Sequence, residues 1–253
     1  MAILVTRPHP DNATTAAALR AKGFEVLLAP MLRFEPVAFQ IDADARFEAV
    51  IVSSANALRA INESPARGDL RDRPLFAVGE RTAQAARDSG FTRVTAAGGD
   101  AVSLRELIVA QARAKRLKKS GELLYLAAAD RARDLGTELG ELGFNVSTVT
   151  VYRMNAVPDL PPDVSAACAA GRIEAVLHYS ARSARAFLDA ARAAGVEISA
   201  LAMPQCCFSN AVAAIVREAG AAQVAVARAP DEDAIFEVLE RALRPRSSQR
   251  TEP

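Results

Sequence analysis

EAVIVSSANALRA, residues 48–60, decides how the rest of the chain is read. The apolar run Ala49-Val50-Ile51-Val52 leads directly into Ser53-Ser54-Ala55-Asn56, where a helical pattern begins. A short run without polar alternation is a strand buried on both faces. It ends at a helix N-terminus, with Ser53 or Ser54 as the N-cap and the first turn's free N–H groups pointing outward. The stretch recurs at 174–186 as EAVLHYSARSARA, with the same Glu-Ala-Val opening and Ser180 in the place of Ser54. Two strand-to-helix corners of one design, 126 positions apart, predict a chain built twice.

The repeat reaches beyond the corner. ILVTRP (3–8) lies 120 positions before LLYLAA (123–128), and LRAKGFEV (19–26) the same distance before LGELGFNV (139–146). AVGERTAQAARDSGF (77–91) corresponds to CFSNAVAAIVREAGA (207–221), and DAVSLRELI (100–108) to DEDAIFEVL (231–239). The order is collinear and the offsets grow slowly, as loop insertions would make them. This is the pattern of a duplicated unit of roughly 120–130 residues.

Composition narrows the function. The chain has 253 residues, half of them apolar and about a quarter charged, enough for two small domains or one large one. A net charge of +1 gives no support for nucleic acid or a membrane surface as partner. The opening MAILVTRPHP is too short an apolar run for a signal peptide, and no run approaches the ~18–20 apolar residues of a membrane span. Three cysteines, with Cys206 and Cys207 adjacent on an expected strand, read as reduced thiols of a cytoplasmic protein.

Taken in order, strands at 3–6 and 24–29 flank a helix that Asp11 caps and Gly23 ends. Met31–Pro36 is extended but bracketed by prolines, a poor central strand and a good linker. After the corner, residues 62–74 are a charged surface loop. Strands at 75–78 and 94–97 alternate with helices from Gly79 and Asp100. The second copy follows with a strand at 123–126, a helix from about Arg131 to Leu142, and a long strand at 145–154. Strands at 205–208 and 223–227 and helices at 209–219 and 232–243 complete it, and the tail 244–253 is polar and disordered. Basic residues at 113–121 fit a solvated helix end. Strand–helix alternation every 20–25 residues gives an α/β fold with parallel sheets flanked by helices.

Ligands of such sheets sit at the carboxyl ends of strands. The polar residues there are Arg7, Ser53, Ser54, Asn56, Gly79 and Thr82 in the first copy, and Asp130, Arg131, Ser180, Arg182, Ser183, Ser209 and Asn210 in the second. Hydroxyls, N–H groups and a few arginines suit anions, and the set holds little acid–base equipment. No phosphate loop and no dinucleotide fingerprint is present, so a nucleotide cofactor is not expected. Two histidines and no Cys-x-x-Cys argue against a zinc site. His178 and Ser180 lack a nucleophile elbow, and His178 reads as a packed or hydrogen-bonded strand residue.

Several strings together resemble the uroporphyrinogen-III synthase family. They are LVTRP (4–8), GFEVLLAPML (23–32), VIVSSANAL (50–58), FAVGERTAQAA (76–86), the Gly-Phe-x-Val to Val-Tyr-Arg run at 143–153, and LHYSARSARAFL (177–188). The resemblance implies a monomer of two similar α/β lobes joined by a two-stranded linker. Residues 1–34 with 157–243 would form one lobe and 38–150 the other, with linker strands at 31–36 and 150–155. It implies a hydro-lyase that needs no metal or cofactor. Its substrate would be hydroxymethylbilane, a linear tetrapyrrole with eight carboxylates, which it dehydrates and cyclises with inversion of the terminal ring.

The family's recurrently implicated side chain, a tyrosine of the second linker strand, matches Tyr152. A phenol with a pKa of about 10 is a neutral O–H donor at pH 7 and could hydrogen-bond the departing hydroxyl. Its other reading is a tyrosine that braces the linker. Ser53, Ser54, Gly79, Thr82 and Ser180 match positions lining the family's cleft, and each is also placed to cap or start a helix. Two stretches depart from the family pattern. Ser209-Asn210-Ala211-Val212 stands where a glycine and a threonine hydroxyl are usual, and Ala127-Ala128-Ala129 where a glycine turn is common. The alternative from another class is a non-catalytic two-lobed module binding a tetrapyrrole or another polyanion. A periplasmic-type binding protein would need an export signal.

Overall fold

The computed structural model of the chain describes residues 1–42, 45–62, 70–131 and 133–244. Most of the loop expected at 62–74, and all but the first residue of the tail expected at 244–253, lie outside the described residues. In chain order the strands are β1 (Ala2–Val5), β2 (Glu25–Leu28), β3 (Leu32–Pro36), β4 (Phe47–Val52), β5 (Leu75–Ala77), β6 (Val94–Ala96), β7 (Glu122–Ala128), β8 (Asn145–Ala156), β9 (Ile173–His178), β10 (Gln205–Cys207) and β11 (Val224–Val226). The helices are α1 (Asp11–Ala21), α2 (Ala55–Ile61), α3 (Glu80–Asp88), α4 (Ala101–Arg113), α5 (Leu135–Glu141), α6 (Pro162–Ala169), α7 (Ala181–Ala193), α8 (Glu197–Ala202), α9 (Asn210–Glu218) and α10 (Glu232–Leu243).

The chain divides into two compact units, Met1–Arg33 with the chain from Asn155 onward, and Phe34–Met154. The first unit holds a sheet of order β11-β10-β9-β1-β2, parallel at every pairing. Its two faces bury different residues of the same strands, as alternation requires. Leu4 and Val176 pack with Val164, Phe187, Ala200 and Val216 on one face. Ile3, Val5, Ala175 and Leu177 pack with Ala16, Leu19, Ile235 and Leu239 on the other. Each Val, Leu, Ile or Phe among them contributes about 1.5–3 kcal/mol when fully buried.

The second unit holds a sheet of order β3-β8-β7-β4-β5-β6. Read from β6 inward to β8, its order β6-β5-β4-β7-β8 repeats β11-β10-β9-β1-β2 strand for strand. The sequence repeat pairs the same strands. β3 is the extra strand, at the sheet edge, where the prolines at 30 and 36 cost no ladder bond of a central strand. The stretch expected as a linker is therefore hydrogen-bonded strand from Leu32.

Two local expectations are corrected and one open alternative is resolved. Pro10, not Asp11, is the residue ahead of α1, and no side chain caps that helix. The helix expected from Arg131 starts at Leu135, because Asp134 accepts the Thr137 N–H and ends the preceding loop. At the corner after β4, where either serine could cap the helix, the cap is Ser54.

His178 is fully buried at the end of β9, and its bonds cross three strands of the sheet. Both amide protons of Gln205 go to carbonyls, of Ala200 at 2.7 Å and Met203 at 2.8 Å. Its oxygen therefore faces His178 Nε2 at 2.8 Å, which assigns the imidazole proton to Nε2. Nδ1 faces the Thr6 hydroxyl at 3.3 Å, and the ring lies 5.4 Å from that of Phe187. Burial lowers the His178 pKa from 6.5 to about 4, against a smaller opposing effect of the Gln205 bond. The unfolded chain takes up this proton near pH 6.5 while the folded chain refuses it until about pH 4, so stability falls as pH drops through that window. The difference amounts to about 3 kcal/mol. Urea unfolding between pH 7 and 4 should show it as a loss that His178→Phe, which cannot take the proton, does not share.

Candidate functional site

The residues singled out by sequence are divided between the two units, most of them at turns from a strand into a helix and Tyr152 within β8. In the second unit β4 ends at Val52 and the two serines that follow take different partners. Ser54 sits in extended backbone and accepts the Asn56 N–H at 3.2 Å. Ser53 Oγ lies 2.9 Å from the hydroxyl of Tyr125 on β7. Burial raises the Tyr125 pKa, with the Ser53 bond acting the other way. Asn56 Nδ2 is 3.7 Å from the sulfur of Met154. Gly79, next along at the end of β5, precedes α3 in extended backbone and accepts the Ala83 N–H at 2.9 Å. Thr82 is buried in that helix's first turn.

Tyr152 lies on β8, abreast of Ala128, and its carbonyl accepts the Ala129 N–H at 2.8 Å. Its ring stacks on Phe34 of β3, centroids 5.8 Å apart and planes 25° apart, and it is 6% exposed. The Arg59 guanidinium lies over the Phe34 ring at 4.3 Å. Tyr152 is thus clamped by an aromatic contact made on the neighbouring strand.

In the first unit the corner after β9 is capped by Ser180, which accepts the Ser183 N–H at 3.0 Å. The Ser180 hydroxyl donates to Ser183 Oγ at 2.9 Å. Ser183 is 1% exposed, so its hydroxyl serves the cap rather than the surface. Ser209 caps α9 through the Val212 N–H at 3.4 Å, supplying a hydroxyl at the position Gly79 holds in the other copy.

Arg7 follows β1 and is already engaged. Its guanidinium lies over the Tyr179 ring at 4.4 Å and donates to Thr15 Oγ1 at 3.2 Å. Carboxylates of Glu232 and Asp11 each lie 3.5 Å away, leaving the Arg7 side chain 15% exposed. The Thr15 hydroxyl also donates to Glu232, as does that of Tyr179 at 3.5 Å. Burial pushes the Tyr179 phenol well above its usual range. A substrate carboxylate at Arg7 would have to compete with Glu232.

Tyr125, Tyr179, Thr15 and Glu232 were not singled out by sequence. A hydroxyl-bearing Tyr125 inside the otherwise apolar strand LLYLAA was a usable signal, and Tyr179 directly precedes the cap Ser180. Glu232 pairs with a residue 225 positions away, which no local pattern announces. Among the described residues there is no group of three or more His, Cys, Asp or Glu side chains placed to hold a metal ion. No described helix is long and apolar enough to cross a membrane.

The model of the family described as HEM4, uroporphyrinogen-III synthase HemD, matches residues 13–237. The structure is similar to that of uroporphyrinogen-III synthetase from Helicobacter pylori 26695, with a TM-score of 0.66 and 21% identity, covering 96% of this chain and 99% of that one. It is also similar to a mutant uroporphyrinogen III synthase from the extremely thermophilic bacterium Thermus thermophilus, with a TM-score of 0.60 and 18% identity over 96% and 99% of the two chains. At such identities the likeness establishes the fold. A search among curated protein sequences gave no match.

Gly79 is fixed by a close approach rather than by its backbone angles. A Cβ there would stand 3.0 Å from the Gly99 Cα, a backbone atom that cannot swing aside. Gly79→Ala should therefore cost about 1–3 kcal/mol, read as a lowered urea midpoint at unchanged slope.

Proposed function

Because the chain belongs to the uroporphyrinogen-III synthase family, enzymes of tetrapyrrole synthesis, we propose that it is the hydro-lyase acting on hydroxymethylbilane, removing water and closing the macrocycle with the terminal ring inverted. The observation that carries this reading is the family match from residue 13 to residue 237, which runs through both units and nearly every element. The route is loss of the hydroxymethyl oxygen to an azafulvene cation, a spiro intermediate, and ring closure. Such a reactive substrate needs folding into the right shape more than it needs strong acids and bases.

The residues fit that demand. Ser53, Ser54 and Asn56 of one unit and Ser180 and Ser209 of the other stand at strand ends, and hydroxyls and N–H groups there bind carboxylates without a large net charge. Gly79 and Thr82 shape the turn after β5, Ser183 sets the Ser180 hydroxyl, and Arg7 offers a guanidinium that exchanges Glu232 for a substrate carboxylate. Tyr152 is assigned the proton-donor role. Its O–H hydrogen-bonds the leaving hydroxyl, and the Phe34 stack holds the ring while that bond lengthens. The enzyme works as a cytoplasmic monomer.

The test is isomer analysis. Hydroxymethylbilane is generated in situ, incubated with the protein and oxidised, and type I and type III uroporphyrins are separated. Type III that scales with protein is the expected result, and only type I at the spontaneous rate would sink the reading. Tyr152→Phe should lower kcat by about 10²-fold with KM little changed. Normal turnover of a folded Tyr152→Phe would reduce this residue to a brace for β3 and β8.

A further inference from the structure

Ser53 and Tyr125 form a pair that no helix cap or core contact requires. β4 and β7 run parallel with Ile51 abreast of Tyr125, so Ser53 stands two residues further along, on the side of the sheet that Tyr125 faces. The cap of α2 is made by Ser54, which leaves the Ser53 hydroxyl without a structural task there. Its oxygen meets one hydroxyl, that of Tyr125, at 2.9 Å. Ser53 is half-buried, whereas Tyr125 is 3% exposed.

The difference in burial sets the direction of the bond. If Ser53 were the donor, the Tyr125 proton would be buried with no acceptor, which is costly. Tyr125 therefore donates and Ser53 accepts. That leaves the Ser53 proton as the one free to turn outward, so the serine is presented to a ligand as a donor. A carboxylate, which only accepts, is the group such a hydroxyl fits.

The other unit shows that the fold does not demand the pair. By the repeat, Tyr125 corresponds to Val5 and Ser53 to Tyr179, and the same strands pair there with Val5 abreast of Leu177. That corner is built with an aliphatic residue in the place of the phenol. The Ser53–Tyr125 pair belongs to one copy alone, as expected of a ligand-directed feature.

Resting on the reading that Ser53 contacts the tetrapyrrole substrate, we infer that Tyr125 is a positioning residue, fixing the Ser53 hydroxyl as a donor to one carboxylate of that substrate. Tyr125 acts through Ser53 and touches neither the substrate nor the reacting atoms.

A double-mutant cycle tests this with two readouts, the Kd of uroporphyrin III as an inert octacarboxylate probe and the KM and kcat for hydroxymethylbilane. Ser53→Ala and Tyr125→Phe should each raise Kd and KM about fivefold, one hydrogen bond's worth, with kcat within about twofold. Ser53→Ala/Tyr125→Phe should bind no worse than Ser53→Ala alone. Tyr125→Leu is carried through the same cycle, so that one folded variant suffices, and Ser53→Thr, which keeps the hydroxyl, should bind near wild type. A purely structural Tyr125 would lower the thermal midpoint and leave Kd and KM alone, which would overturn the inference, as would additive losses in the double variant. Type III formation by the wild type with a flat cycle sinks the inference alone. A coupled binding cycle without type III formation sinks the reaction and leaves the inference standing.

Discussion

The strands at the middle of each sheet are buried on both faces, and the polar residues of the candidate site are arranged around that constraint. Leu4, Val5, Val50, Ile51, Leu124, Leu126, Val176 and Leu177 are all wholly covered by helices. A parallel strand so covered offers few side chains to water along its length, and its polar residues gather where it stops. Each stop is also the start of a helix, whose first N–H groups need acceptors. Serines serve both needs, and Ser54, Ser180 and Ser209 each cap a helix at such a turn. The same geometry leaves a second hydroxyl at one of those turns, Ser53, free for other work.

His178 shows what the constraint costs when a polar residue does enter a covered strand. The imidazole is held neutral by burial, its Nε2 proton taken by a glutamine on one neighbouring strand and its Nδ1 3.3 Å from the hydroxyl of Thr6, which also lies 2.9 Å from the Leu177 carbonyl. Thr6 follows β1, Gln205 opens β10, and His178 closes β9 between them. A change at any of the three leaves a buried polar atom without its partner, so the three act as one unit.

Much of this was legible in the chain. The repeated Glu-Ala-Val corner announced the two central strands, and the collinear offsets announced a strand order built twice, because apolar runs and caps are local properties. The choice between Ser53 and Ser54 was not legible, since it depends on a tyrosine 72 positions away that approaches from the neighbouring strand. Arg7 read as a free anion binder for the same reason. Its sequence neighbours are visible, but the glutamate that balances it arrives on α10. Asp11 had the composition of a cap, yet the bend at Pro10 starts the helix without one, and the carboxylate turns to Arg7 instead. Local signals gave the elements, and long-range pairing decided what each polar group does.

The division of the chain has a consequence for its synthesis. The unit from Phe34 to Met154 is one continuous segment, so all its strands are available once that segment has been made. The other unit begins with β1 and β2, but β1 pairs with β9, roughly 170 residues later. Until β9 emerges, the first βαβ segment carries Ile3, Leu4 and Val5 with one side of its sheet open, the kind of unpaired edge that attracts other chains. A growing chain therefore completes its inserted half first and keeps its opening strands waiting, and the slow, non-local closure of β1 against β9 is the step at which this architecture is most exposed to going astray.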